Sequence, residues 1–109
     1  MSSDPGFVEY VCGQAGGAGE VTSREMFGDW ALYFGHKVVA LVCDDRLFVR
    51  PTEAGRAFIG LPMERSPYPS ARPHFLIEDR LDDREWLTEL IRLTQRELPA
   101  PRPKKRKPG

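Results

Sequence analysis

The chain has 109 residues, with sixteen Lys and Arg against sixteen Asp and Glu, 40% apolar and 10% aromatic side chains. This composition suits one globular domain and excludes both a disordered chain and a two-domain enzyme with separate cofactor and substrate halves. The zero formal charge hides an asymmetry: residues 1–98 hold eleven basic and all sixteen acidic side chains, whereas residues 99–109 hold five basic ones and no acid. The body therefore does not attract polyanions by its overall field, and the tail does.

Asp4 before Pro5 predicts an N-cap and a first helix, with Phe7, Val8, Val11, Cys12 and Ala15 on one apolar face and a stop at Gly16-Gly17. Glu20 to Met26 is expected as a strand, followed by Trp30, Leu32 and Phe34 alternating with Ala31 and Tyr33. Gly35-His36 predicts a hairpin turn into Val38 to Cys43, read as a central strand with Val38, Ala40 and Val42 on one side and Val39, Leu41 and Cys43 on the other. Asp44-Asp45 predicts a second turn, and Leu47 to Arg50 the next strand. Thr52 caps a short helix reaching Ile59, with Gly55 as its weak point.

From Leu61 to Pro73 four prolines predict a surface loop, and His74 to Ile77 a last strand. Leu81, Asp82, Glu85 and Trp86 suggest a hydrophobic staple with a capping-box Glu, starting the final helix at Asp83. Trp86, Leu87, Leu90, Ile91, Thr94 and Leu98 form its apolar face. The order of elements predicts an α+β fold, a two-layer sandwich of an antiparallel sheet with the long helices on one face. Residues 1–98 are read as the domain and residues 99–109 as an extended, solvated Pro-rich basic tail.

Catalytic chemistry finds little to work with. His36 belongs to a turn and His74 to a strand start, without the spacing of metal ligands. Cys12 and Cys43 lie on apolar positions with no neighbouring cation to lower a thiol pKa. Asp44-Asp45 and Asp82-Asp83 are accounted for by a turn and a helix start. Gly13, Gly16, Gly17 and Gly19 follow a helix and lack the Lys-Ser or Lys-Thr of a phosphate loop. Trp30, Tyr33, Phe34 and Phe48 are read as core rather than as a base-stacking platform. The chain is accordingly expected to be no enzyme and to need no cofactor or metal. The clearest electrostatic feature is Arg102, Lys104, Lys105, Arg106 and Lys107, whose cations displace counterions from nucleic acid without sequence selectivity.

Two cysteines are too few for a disulfide framework, and Met1-Ser2-Ser3-Asp4-Pro5 has neither part of a secretory signal, so a cytoplasmic location is expected. Val38 to Cys43, the longest apolar run, is too short to span a bilayer.

Arg24-Glu25-Met26-Phe27-Gly28, followed by Leu32-Tyr33, Gly35, Ala40-Leu41-Val42, Asp44-Asp45 and Leu47-Phe48-Val49-Arg50, resembles the N-terminal domain of the bacterial TfoX/Sxy competence regulators. Thr52, Ala54, Phe58, the Pro-rich loop and the helix around Trp86 extend the resemblance over residues 7–97. It implies a secretion-chaperone-like α+β fold and a link to activation of DNA-uptake genes together with the cyclic-AMP receptor protein. The chain departs from the family pattern at Asp29, Trp30 and Ala31, where a second Gly and another small residue are usual. A YjbR-like DNA-binding domain is the nearest family alternative, with a poorer motif fit.

Within the motif, Met26 and Phe27 are expected to anchor the chain under the helices, and Gly28 to permit a bulge. Arg24 is expected to pair with an acid such as Glu9 or Glu20, or to meet a partner. The function expected is a regulatory binding module that acts through a protein of the transcription machinery, with weak, nonspecific DNA contact through the tail. The alternative is a homodimeric, chaperone-like interaction module, paired through a sheet edge or helix face, without a nucleic-acid role.

Overall fold

A computed structural model of the chain describes residues 4–16, 21–26 and 29–99. Among the described residues it is an α+β fold of three helices and one six-stranded antiparallel sheet. Helix α1 spans Pro5–Ala15 and is followed by strands β1 (Val21–Met26), β2 (Asp29–Phe34), β3 (Lys37–Cys43) and β4 (Arg46–Val49). Helix α2 (Glu53–Ile59), strands β5 (Met63–Arg65) and β6 (His74–Ile77), and helix α3 (Arg84–Glu97) complete it. The sheet order is β1-β2-β3-β4-β6-β5, so β1 and β5 are its edges.

One large cluster joins Val8, Val11 and Ala15 of α1 and Leu87, Leu90 and Ile91 of α3 to Leu32, Ala40, Val42, Leu47, Val49, Phe75 and Ile77 of the sheet. A second, smaller cluster of Cys43, Phe48 and Leu76, with Leu41 against it, holds the opposite sheet face and contains no helix residue. Each fully buried Leu or Val contributes about 1.5–3 kcal/mol, so the helix-covered face carries most of the folding energy.

Strict alternation in β3 fails at one place. The β2–β3 register shifts between Leu32 and Tyr33, which face Ala40 and Val38, leaving Val39 as the extra residue. This bulge turns Val39 into the large cluster beside Ala40 and Val42, and leaves Val38 and Leu41 lining a cleft on the other face. The expected grouping of Val38 with Ala40 and Val42 is therefore corrected by one inserted residue.

The turn and cap chemistry is largely as the residues dictate. Asp44 and Asp45 both take positive φ, 56° and 59°, which gives the primed twist that a tight β3–β4 hairpin requires. Asp4 does precede α1, but its carboxylate makes no cap; its N–H instead donates to Asp45 Oδ1 at 2.7 Å, pinning the helix start to that hairpin. Thr52 Oγ1 accepts from Gly55 N at 2.9 Å.

Gly55 is no weak point. A Cβ there would stand 2.8 Å from Thr52 Oγ1 and 3.4 Å from both Leu90 and Phe75, so only glycine lets α2 approach α3 and the sheet this closely. Helix α3 begins at Arg84, with Asp83 as N-cap accepting from Trp86 N at 3.2 Å, and the capping box expected around Glu85 is replaced by this bond one residue later. Pro62 and Pro67 flank, rather than exclude, β5, a three-residue edge strand inside the segment expected to be loop.

Candidate functional site

The sheet face away from the helices is where unassigned chemistry collects. On β1, register places Arg24 opposite Ala31 and Met26 opposite Asp29, and Ala31 in turn faces Leu41 of the second cluster's surroundings. Arg24 and Met26 thus share the helix-free face, whereas Val21 packs against the large cluster from the other side. Met26, expected under the helices, is instead 43% exposed, because its position has the same parity as Arg24 and the opposite parity to Val21. Glu9 stands on α1, across the sheet from Arg24, and no ion pair of Arg24 occurs among the described residues. Phe27, Gly28 and Glu20 lie outside the described residues, as do Arg102, Lys104, Lys105, Arg106 and Lys107.

The Pro-rich segment between β5 and β6 lies along this face. Pro69 occupies the second position of a turn in which Ala71 N donates to Tyr68 O at 2.9 Å, which stiffens the segment at its tip. Tyr68 lines a cleft on either side. The first, of about 380 Å³, is formed with Met26, Asp29, Trp30 and Cys43. There the Cys43 thiol is pushed up to about 11, first by burial and then by the neighbouring Asp29 carboxylate. Asp29 Oδ1 is buried and has no hydrogen-bond partner among the described residues.

The second cleft, of about 340 Å³, is formed by Val38, Leu41, Arg50, Tyr68, Ser70, Ala71, Arg72 and His74. His74 Nδ1 lies 2.9 Å from the carbonyl of Arg72. Because a carbonyl only accepts, that nitrogen carries the proton and donates. Burial first, and then the field of Arg50, hold the imidazole below its ordinary pKa against the hydrogen bond to the Arg72 carbonyl, which acts to raise it.

The remaining candidates are dispersed. His36 is exposed in the β2–β3 turn, beside Thr22, Ser23, Arg24 and Tyr33 at the sheet edge. Cys12 sits half-buried on α1, its thiol raised chiefly by burial. Trp30 and Phe34 pack on the large cluster, and Phe48 is buried in the second, so of the four aromatics considered for stacking only Tyr33 is left at the surface of the helix-free face. No three His, Cys, Asp or Glu side chains are grouped to hold a metal among the described residues, and no described helix is long and apolar enough to cross a membrane.

Sequence reasoning did not single out Tyr68, Arg72 and Asp29 as site residues. The signal for the first two was the proline spacing itself, since Pro67, Pro69 and Pro73 stiffen the segment that carries them.

Comparison with known proteins adds two findings. The family model for the TfoX N-terminal domain matches residues 14–98. An uncharacterized 12.7 kDa protein in the trpE 5′ region of Spirochaeta aurantia is 38% identical over 107 residues, covering 98% of this chain and 93% of its own.

Proposed function

The chain belongs to the TfoX N-terminal domain family, and from that premise we propose that it is a regulatory binding module, related to competence control, that works through a protein partner of the transcription machinery. The observation that carries this reading is the uneven dressing of the sheet. One face is sealed by α1 and α3, while the other holds a small cluster bordered by Arg24, half-exposed Met26 and half-exposed Tyr68. Apolar side chains beside an arginine and a tyrosine are the composition of protein interfaces. Arg24 and Met26 of the family motif lie on this same face, which supports a contact role for these two side chains.

In this reading the body recognises the partner and the basic tail adds attraction to nearby DNA. Fluorescence anisotropy of labelled duplex DNA against residues 1–109 and 1–98 tests the tail: the full chain shows a log K against log salt slope of about −4.5 if all five cations engage, and the truncated chain loses it. Equal binding by the two chains at every salt concentration removes the tail from the account. The partner face is tested in cells by reporter output from a DNA-uptake promoter. Arg24→Ala and Met26→Ala should abolish activation with the fold intact by circular dichroism, and full activation by both variants counts against this face.

A second reading is favoured by β1, a six-residue edge strand whose positions 22–26 are exposed and contain no proline. Such an edge is a template for pairing with another strand, and a homodimer joined there is a chaperone-like module without nucleic-acid function. Light scattering distinguishes it, since a monomer at all concentrations excludes the dimer.

A further inference from the structure

The cleft beside Tyr68 that holds Arg50, Arg72 and His74 has no carboxylate in its lining. Its two guanidiniums come from unrelated elements, Arg50 from the end of β4 and Arg72 from the Pro-stiffened segment before β6. The ion pairs among the described residues, Arg56 with Glu64, Arg80 with Asp83 and Arg92 with Glu89, involve neither. In a body with sixteen acidic side chains and eleven basic ones, two arginines meet in a cleft whose lining carries no carboxylate.

We infer that this cleft binds a small organic phosphate of mononucleotide size, its phosphate held between Arg50 and Arg72 and its ring over Val38 and Leu41 beside Tyr68. The choice of phosphate follows from donor number. One guanidinium fork satisfies a carboxylate, whereas two forks from different directions match the several oxygens of a phosphate dianion. The choice of a ring-bearing body follows from the apolar floor and the phenol beside it, because aromatic rings stack on such surfaces and on arginine planes. The choice of a small molecule follows from size: about 340 Å³ is in the range of small-ligand sites and holds roughly one nucleotide.

The exposed Arg72 side chain is carried on a held backbone. Its carbonyl accepts from His74 Nδ1 at 2.9 Å, and the Tyr68–Ala71 turn immediately precedes it, so the backbone that carries it is fixed from both sides. A backbone already ordered costs less to fix on binding than a mobile one. This site requires neither the tail nor a second protein, and shares only Tyr68 with the border of the partner face described above.

The test is calorimetric titration of the full chain with adenosine 5′-monophosphate, adenosine and inorganic phosphate, repeated on Arg50→Ala, Arg72→Ala and Arg92→Ala. All three arginines are exposed, so their loss leaves the fold in place, and the tail is common to every sample. The expected result is a Kd for the nucleotide of about 1 mM or tighter, weakened about tenfold or more by Arg50→Ala and by Arg72→Ala and unchanged by Arg92→Ala. Adenosine and phosphate should each bind at least about tenfold more weakly than the nucleotide. The inference is overturned by no nucleotide binding, by binding insensitive to both cleft arginines, by equal weakening in Arg92→Ala, or by phosphate binding as tightly as the nucleotide.

Discussion

Gly55 and Thr52 share one small space, and each sets a condition on the other. Adding a methyl at Gly55 forces Thr52 Oγ1 to move from 2.8 Å, and that movement breaks the cap bond to Gly55 N. Gly55→Ala is expected to destabilise by about 1–3 kcal/mol as overpacking, despite the higher helix propensity of alanine, and Thr52→Ala by about 1 kcal/mol. Urea unfolding checks both, as a fall in midpoint at constant slope. Cys43 gives a prediction in pH. Its thiol is raised from 9.0 to about 11, so the folded state favours the neutral form; that stability is whole below pH 9 and is lost as pH rises from 9 through 11. The thermal midpoint should fall across that window, and Cys43→Ala should flatten the fall relative to the parent. An equally steep fall in the variant assigns it to other groups.

Between elements, side chains from distant positions fasten the helix ends. Glu97, the last residue of α3, accepts from Glu53 N at 3.0 Å and Ala54 N at 2.8 Å, so the end of one helix caps the start of another. These two backbone bonds hold its carboxyl below the ordinary Glu range. The stabilisation is present above the unfolded pKa and is lost as pH falls through the lowered folded value. Glu97→Gln should therefore lower the urea midpoint at pH 7 and bring it close to the parent in strong acid. A constant difference at all pH values counts against the charge. Lys37 likewise donates from Nζ to the carbonyl of Gln95 at 2.8 Å, while Gln14 Nε2 donates to the carbonyl of Leu81 and Thr88 Oγ1 to the carbonyl of Gln14, each at 3.1 Å. None of these bonds has a local signature, because their partners are 43 to 74 residues apart.

Over the whole molecule, the two sheet faces divide the work. The helix-covered face supplies stability, and the other is left with two clefts on either side of Tyr68. Removing the ring should therefore change binding more than folding: Tyr68→Ala, at a side chain half-exposed to solvent, is expected to leave the unfolding midpoint within about 0.5 kcal/mol of the parent. A loss of several times that amount means that the segment is part of the core.

Local sequence specified the order of elements except β5, both hairpin turns, the Thr52 cap and the apolar stripes of α1 and α3. All of these follow from interactions within a few residues, whose period and turn chemistry are written locally. The TfoX-like motif was legible in the same way, as residue order from Arg24 onward. Long-range packing settled that Val39 is a bulge, that Gly55 is a contact and not a flaw, and that Met26 lies opposite the helices. Each depends on which face of the sheet a neighbouring strand or helix covers, and a one-residue shift in register reverses that assignment. The meeting of Arg50, Arg72 and His74 was illegible for the same reason: strand pairing, not sequence distance, brings them to one cleft.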